Sequence, residues 1–174
     1  MKPPKKRFPW LFLAAILWAV SPPMAGPLLG ADDRAEVEQT IKNMLLAWQT
    51  GNLDELGQYV AQDVTVVSGV YQPPLQGWQA YRIALQFQRE NLREVSFERE
   101  NTQITVKGKI AWAAYQWRFA AIQNGQPIGA LGHSTLILEK RGKKWFVSLN
   151  HTSVATVPPP AAAPAQPLPP KPPA

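Results

Sequence analysis

The sequence predicts an α+β fold in which three helices precede an antiparallel sheet. Within residues 33–50, Val37, Ile41 and Trp48 recur at the spacing of one helical face. Beyond Asn91 the apolar residues alternate with polar ones instead. This change from a helical to an alternating period predicts that helices come first and strands follow.

Each helical element has its own signal. Asp32 and Asp33 are favourable N-cap residues for the first helix, which Gly51 ends. Apolar residues in 53–60 predict a short second helix, and the β-branched segment 63–68 predicts a strand. Glycine and proline in 69–76 predict a loop, and the proline-free segment 77–91 predicts a third helix.

The later part of the chain reads as strands joined by tight turns. Turns are predicted at 107–109, 124–125 and 141–142, because each contains a glycine beside polar residues. The strands predicted from alternation are 95–99, 103–106, 110–122, 129–139 and 144–153.

The prolines mark the limits of the folded part. Of the 18 prolines, only Pro73, Pro74 and Pro127 lie between Pro27 and Pro158. We therefore predict one domain over 32–156, preceded by a linker over 26–31. The segment 157–174 is half proline and is predicted to be a disordered tail, because proline blocks helix and sheet. A spacer or a docking peptide would suit this composition.

The N-terminus has the pattern of an export signal. Basic residues in 2–7 precede the apolar run 8–20, which is shorter than the roughly 20 residues needed to span a membrane. We expect a signal peptide over 1–25 with cleavage after Ala25, and a periplasmic or secreted protein. An uncleaved anchor reaching Leu29 is the alternative, and would be the only membrane contact.

Charge and cysteine content exclude several classes of function. The net charge of +6 comes largely from the leader, so the domain is nearly neutral and no nucleic-acid partner is expected. The chain has no cysteine, which excludes disulfides, thiolate metal sites and a cysteine nucleophile.

Four segments resemble the nuclear transport factor 2-like superfamily in its SnoaL-like branch. They are AWQTGNLD (47–54), VAQDV (60–64), GWQAY (77–81) and WFVSLNHTS (145–153), in the family's order and covering about 32–155. The last segment is also similar to the association domain of calcium/calmodulin-dependent protein kinase II. The resemblance implies a strongly curved antiparallel sheet wrapped around three helices as a cone, with a pocket at the open end. It also implies a homodimer formed through the sheet.

His151 is the first candidate for a catalytic or ligand-binding role. Alternation along the last strand puts it on one face with Trp145, Val147, Leu149 and Ser153. An imidazole there could bind a ligand or act as a general base, although a structural role bonded to Ser153 is the alternative.

Asp63 and His133 are the other ionisable candidates. Asp63 is the carboxylate best placed to act as a base, although its position also suits a turn or cap. His133 depends on the hairpin register: a turn at 141–142 sets Leu138 opposite Trp145 and turns His133 away from His151. A longer turn would bring the two histidines together. We therefore predict no metal site, and no cofactor.

Aromatic residues dominate the predicted pocket wall. Tyr115 and Trp117 share one face of their strand, where they could be core or could stack on a ligand. Gln116 and Arg118 share the opposite face, which would suit a dimer. The predicted ligand-binding residues are Trp48, Tyr59, Trp78, Tyr81, Tyr115, Trp117, His133, His151 and Ser153.

Three functions are compatible with this pattern. The first is an exported domain that binds a small, largely apolar molecule. The second is an isomerase, dehydratase or cyclase that uses a His or Asp base, so whether the chain is an enzyme stays open. The third is an oligomerisation module without a ligand, because one fold hosts many activities.

Overall fold

The structure, a computed structural model, describes residues 29–156. The predicted signal peptide and proline tail therefore lie outside the described residues. The elements are α1 (Leu29–Thr50), α2 (Leu53–Leu56), β1 (Val60–Ser68), β2 (Tyr71–Gln76), α3 (Trp78–Arg89), β3 (Leu92–Lys107), β4 (Ile110–Gln123), β5 (Gln126–Arg141) and β6 (Lys144–Thr156). This is the predicted α+β class. No helix among these elements is long and apolar enough to cross a membrane.

The six strands form one mixed, open sheet in the order β2-β1-β6-β5-β4-β3. The prediction of a wholly antiparallel sheet is wrong at one pair, because β1 runs parallel to β6. The chain passes through α3 and four further strands, β2 to β5, before β6 returns beside β1. That long connection is what a parallel pair requires.

The segment that we predicted to be a loop forms β2. Thr65 pairs with Gln76 and Val66 with Leu75, so Pro73 and Pro74 lie on the outermost strand. Proline is tolerated there because an edge strand leaves some of its backbone N–H groups without a partner strand. Proline disfavours a strand in the interior of a sheet, as predicted, but the prediction did not allow for an edge strand.

One long strand, β3, replaces two predicted short ones. Its pairing with β4 shifts between Arg93 and Ser96 and again between Glu100 and Gln103. Glu94 and Asn101 have positive φ at these irregularities. Bulges of this kind bend a strand without ending it, so the sheet continues past both sites.

The first helix begins earlier than predicted. Asp33 lies inside α1 rather than at its cap, and its carboxylate bonds to Lys140, which also contacts Glu36 at 2.9 Å. Lys140 precedes the β5–β6 turn, and its backbone N–H donates to the Lys109 carbonyl at 2.8 Å. The N-terminal half of α1 is thus attached at the end of the sheet where the β3–β4 and β5–β6 turns lie.

Arg89 joins the helices at the opposite end. Its guanidinium donates to the carbonyls of Trp48 and Gln49, at 2.8 and 3.0 Å, and its Cζ lies 5.7 Å from the Trp48 ring. Both carbonyls lie in the last turn of α1, where the regular helical hydrogen bonds run out; the Trp48 carbonyl also accepts from the Gly51 N–H at 3.1 Å. Between the two ends, α1 buries Val37, Ile41 and Met44.

Candidate functional site

A cavity of about 410 Å³ lies between the helices and the inner face of the sheet. Its deep part is formed by buried residues that include Met44, Leu56 and Leu85. Its mouth is marked by exposed lining residues: Phe87 and Gln88 of α3, Gln123 of β4 and Val154 of β6. The cavity therefore opens where α1, α3, β4 and β6 end.

One side of the cavity is an aromatic wall made of Trp48, Phe97, Trp117 and Phe119. The Trp48 ring meets Phe97 and Phe119 edge-on, with centroids 5.4 and 6.0 Å apart. Phe97 stacks on Trp117 at 5.8 Å. Aromatic pairs in these geometries hold one another in place, so this wall is fixed, and it is apolar apart from the Trp117 indole N–H, which has no hydrogen-bond partner within residues 29–156.

A second part of the lining is a polar wall made of Tyr81, Ser134, Asn150 and Thr152. The Oγ of Ser134 lies 2.9 Å from the Oγ1 of Thr152, which donates to the Oδ1 of Asn150 at 3.2 Å. The Nδ2 of Asn150 donates to the Tyr81 hydroxyl at 3.4 Å. The four side chains thus form one hydrogen-bonded row, and Ser68, Gln88 and Gln123 are further polar residues of the lining.

A β-bulge in β6 decides which residues reach this wall. Leu138 pairs with Val147 and Ile137 with Leu149, so Ser148 is an extra residue on β6. The Trp145 and Val147 side chains are buried before the bulge, whereas Asn150 and Thr152 face inward after it. The extra residue thus reverses the alternation of the strand.

The predicted position of His151 is therefore wrong. His151 and Ser153 are exposed, on the face of the sheet away from the cavity, where His151 pairs with Thr135 and Val67. The row Trp145, Val147, Leu149, His151, Ser153 does not lie on one face as predicted. Neither His151 nor Ser153 lines the cavity, so neither can contact a ligand inside it.

The predicted register of His133 also needs correction. The turn occupies Gly142 and Lys143, because Arg141 pairs with Lys144 and Lys140, not Leu138, lies opposite Trp145. With the bulge added, His133 pairs with Ser153 on the same outer face as His151. Its Nε2 lies 3.4 Å from the Gln116 amide nitrogen and outside the cavity.

Asp63 is likewise remote from the cavity. Its exposed carboxylate lies 2.8 Å from the Arg141 guanidinium. The hydrogen bond from Arg141 keeps the pKa of Asp63 below its ordinary value. A carboxylate that is exposed, ion-paired and of lowered pKa is a poor proton acceptor, which argues against the predicted role as a base.

The six remaining predicted residues divide into two groups. Trp48, Tyr81, Tyr115 and Trp117 line the cavity as expected. Trp78 is buried beside Tyr81 in the core, with ring centroids 6.1 Å apart, and does not line it. Tyr59 lies beside Lys144, whose Nζ is 5.6 Å from its ring, far from the mouth that we predicted it to close.

The two tyrosines of the cavity are held in their neutral form. Burial raises the pKa of Tyr115 to about 12. Burial, and then the proximity of Tyr71, raises the pKa of Tyr81 above its ordinary value. Near neutral pH both phenols keep their protons and can act as hydrogen-bond donors.

The charge of the lining is as informative as its shape. No Asp, Glu, Lys, Arg or His is found among the cavity-lining residues of the part of the chain that the structure describes. Within 29–156 there is also no group of three or more side chains able to hold a metal ion. The described lining offers amides and hydroxyls but no ionisable acid or base that titrates near neutrality.

Sequence reasoning missed Ser134, Asn150 and Thr152. The alternation of side chains along β5 and β6 determines that these three residues face the cavity. On β6, however, this alternation depends on the bulge at Ser148. Polar and apolar residues are mixed in 148–154, so the sequence offers no alternation that reveals the bulge.

The sequence of residues 37–157 matches the family model described as a SnoaL-like domain. No curated protein matches the chain. Among solved structures, a candidate scytalone dehydratase from Novosphingobium aromaticivorans superposes with a TM-score of 0.67 at 13% identity, over 73% of this chain and 87% of that one. A nuclear transport factor 2-like superfamily protein from Salmonella enterica serovar Typhimurium gives 0.66 at 16% identity, over 76% and 98%.

A third structure is a candidate calcium/calmodulin-dependent protein kinase II association domain from Xanthomonas campestris. It gives a TM-score of 0.61 at 18% identity, over 68% of this chain and 85% of that one. At these identities the three structures establish the fold and leave the activity to be argued from the site.

Proposed function

The chain belongs to the SnoaL-like domain family of the nuclear transport factor 2-like superfamily, and on that premise we propose that its cavity binds a small, largely apolar molecule. The observation that carries the proposal is the lining itself: it combines an aromatic wall with a short polar wall, with no charged side chain among the described lining residues. The volume of about 410 Å³ falls within the roughly 300–1,000 Å³ of small-molecule sites. Few polar groups in an apolar cleft are typical of such sites.

Filling the cavity tests this proposal. Ala130 lines the cavity on β5, and Ala130→Phe would occupy space that a ligand needs. The neutral dye Nile red serves as the probe, with its affinity measured by fluorescence titration. We expect saturable binding to the native protein and at least ~10-fold weaker binding to the variant.

Ala114→Phe is the matched control, because Ala114 is exposed on the outer face of β4. It should bind the dye as the native protein does. Equal binding by Ala130→Phe and the native protein would show that the dye sits elsewhere and would contradict the proposal.

A dehydratase, isomerase or cyclase on the same scaffold is the alternative function. It is supported by likeness of fold to a candidate dehydratase. The described cavity lining argues against this function, because the three candidate bases Asp63, His133 and His151 lie outside the cavity. We therefore favour binding over catalysis by a carboxylate or imidazole base, and we propose no cofactor.

A homodimer through the outer face of the sheet is a second proposal, favoured by one apolar row. Trp112 pairs with Ile137 and Ile137 with Leu149, and Trp112 and Ile137 are 38% and 36% exposed. An apolar row across three strands suits association with a second copy.

Analytical ultracentrifugation should find a dimer that the variant Ile137→Glu disrupts. The control variant Ile83→Glu, on the helical side, should leave the dimer intact. A monomeric native protein would exclude it.

Export remains a proposal that rests on the sequence. Basic residues in 2–7 followed by the apolar run 8–20 support it. Mass spectrometry of the protein recovered from the producing cells should show a chain beginning after Ala25. An intact N-terminus in a membrane fraction would favour the anchored alternative.

A further inference from the structure

We propose that the end of the sheet formed by the β3–β4 and β5–β6 turns docks on an anionic phospholipid surface. This surface is remote from the cavity mouth, so the inference does not depend on ligand binding. It goes beyond the sequence-based expectation that only an uncleaved leader would contact a membrane. Three observations carry it: lysines without carboxylate partners, apolar side chains beside them, and the position of both relative to the start of α1.

Four lysines are concentrated on these two turns. Lys107, Lys109, Lys143 and Lys144 are exposed, and together we call them the lysine tip. The turns are neighbours, because β4 pairs with β5 and the backbone N–H of Lys140 donates to the Lys109 carbonyl at 2.8 Å. The lysine tip is therefore one continuous patch of positive charge.

The acidic residues at this end of the domain do not neutralise the lysine tip. Two other basic residues, Lys140 and Arg141, already bind the carboxylates of Asp33, Glu36, Asp63 and Glu139. Asp32 is exposed in the first turn of α1, and Arg34 beside it offsets its charge. Of the ion pairs within residues 29–156, none includes a lysine of the lysine tip.

Apolar side chains accompany the lysines. The Nζ of Lys144 lies 5.5 Å from the centre of the Phe146 ring, and that of Lys107 lies 5.6 Å from the Trp112 ring. Ile110, at the start of β4, is 42% exposed. A lysine beside apolar surface keeps its ammonium in the polar headgroup region while its neighbours approach the acyl chains. The lysine tip thus offers a membrane both charge and apolar contact.

The two ends of the sheet differ in charge. The β4–β5 turn and its flanks at the opposite end, residues 122–129, contain no charged residue. At the charged end, the bond between Asp33 and Lys140 attaches the start of α1. In the sequence, α1 follows the basic residues 2–7 and the apolar run 8–20, a pattern typical of membrane targeting. The charged end is therefore the one at which a membrane contact is expected.

A phospholipid surface fits the lysine tip better than a nucleic acid does. The folded domain as a whole is nearly neutral, so no basic stripe extends from the lysine tip to follow a phosphate backbone. The lysine tip also contains no arginine, whose planar guanidinium binds phosphates in a bidentate manner. A flat anionic surface, in contrast, meets several charges of a compact patch at once.

A fluorophore at the lysine tip tests the contact. Because the chain has no cysteine, the full chain carrying Ile110→Cys can be labelled at one site with the environment-sensitive dye NBD. It is titrated with phosphatidylcholine vesicles that either contain or lack phosphatidylglycerol. We expect NBD emission to rise only with the anionic vesicles and to fall as salt is added. The same label on Gln126→Cys, at the opposite end, should not respond.

Charge removal tests the role of the lysines. Lys109→Gln combined with Lys143→Gln removes two of the four charges from the labelled protein. Each lysine near an anionic surface strengthens binding about fivefold, so half-maximal emission should need at least ~10-fold more lipid. Lys42→Gln combined with Arg93→Gln is the matched control, because both residues are exposed outside the lysine tip. This control should bind the vesicles as the native protein does.

Three results would overturn the inference. The first is an equal rise in emission at Ile110→Cys with neutral and with anionic vesicles. The second is an unchanged affinity when Lys109 and Lys143 are both replaced. The third is binding of a DNA duplex as tight as that of the anionic vesicles, which would assign the lysine tip to nucleic acid. The Nile red titration tests the cavity separately, so failure of either proposal is distinguishable from failure of the other.

Discussion

The indole of Trp117 lies directly over Gly132, its cross-strand partner on β5. A Cβ on Gly132 would lie 2.2 Å from the Trp117 Cζ2 and 2.2 Å from the Ser153 carbonyl oxygen. No side chain other than hydrogen allows both contacts. Gly132 therefore allows the Trp117 indole of the aromatic wall to lie close against the backbone of β5 and β6.

Gly132→Ala should disturb both stability and binding. The new methyl group must displace either the indole or the β6 backbone, and we expect a loss of about 1–3 kcal/mol in the free energy of unfolding. Urea denaturation measures this loss, and Nile red titration should show weaker binding. Gly69→Ala is the control, because nothing lies within 4 Å of a Cβ at that position. Equal stability of the two variants would contradict the packing argument.

Arg89→Met should loosen the end of the domain that carries the mouth. It removes the hydrogen bonds to the Trp48 and Gln49 carbonyls and the contact with the Trp48 ring. We expect a loss of about 1–3 kcal/mol in the free energy of unfolding. Arg93→Met, at an exposed site on β3, should leave it nearly unchanged. Hydrogen exchange should also rise at the C-terminal turn of α1, and protection equal to that of the native protein would argue against this role.

His151→Ala should leave ligand affinity and melting temperature unaltered. The imidazole is exposed on the outer face of the sheet, and the bulge at Ser148 turns it away from the cavity. Asp63→Asn should likewise spare affinity, since the carboxylate is bonded to Arg141 outside the cavity. Titration calorimetry or dye displacement measures both. A ten-fold weaker affinity in either variant would return that residue to the site.

Stability should fall in alkaline solution as the buried phenols ionise. The pKa of Tyr115 is raised to about 12 in the folded state from an ordinary value of 10.0. Because the folded pKa is the higher one, the associated stability is fully present below about pH 10 and is lost as pH rises toward 12. Chemical denaturation at a series of alkaline pH values measures the loss.

Tyr115→Phe identifies the part of that loss that comes from the phenol. Hydrogen bonds to Asp33 and then Glu36 raise the pKa of Lys140, which acts in the same direction and is present in both proteins. The decline above pH 10 should therefore be shallower in the variant. Identical declines would mean that the Tyr115 phenol does not titrate with unfolding.

The fold could be predicted where a regular spacing of apolar residues continues over a whole helix or strand. The buried positions Val37, Ile41 and Met44 of α1 follow from helical spacing, and Tyr115 and Trp117 of β4 from alternation. The strand β2 was missed because proline argues against a strand unless its place at the sheet edge is known. That place is set by pairing with β1, which no local pattern encodes.

Half of the candidate site could be predicted from the same patterns. The aromatic wall could be predicted in part, since Trp48 and Trp117 lie in regular elements. The polar wall could not, because Asn150 and Thr152 reach the cavity only after the extra residue Ser148 reverses the strand. Because of this single extra residue, the Asn150 amide and the Thr152 hydroxyl line the cavity, and the predicted His151 imidazole does not.

The attachment of α1 has a consequence for how the molecule would be tethered. Its 22 residues extend for roughly 33 Å, from the turns near Lys140 to the rim of the cavity at Trp48. A surface that held the protein ahead of Leu29 would therefore leave the opening pointing away from it, free to sample the surrounding medium. Thr156, the last residue that the structure describes, follows two positions after Val154 at the mouth of the cavity.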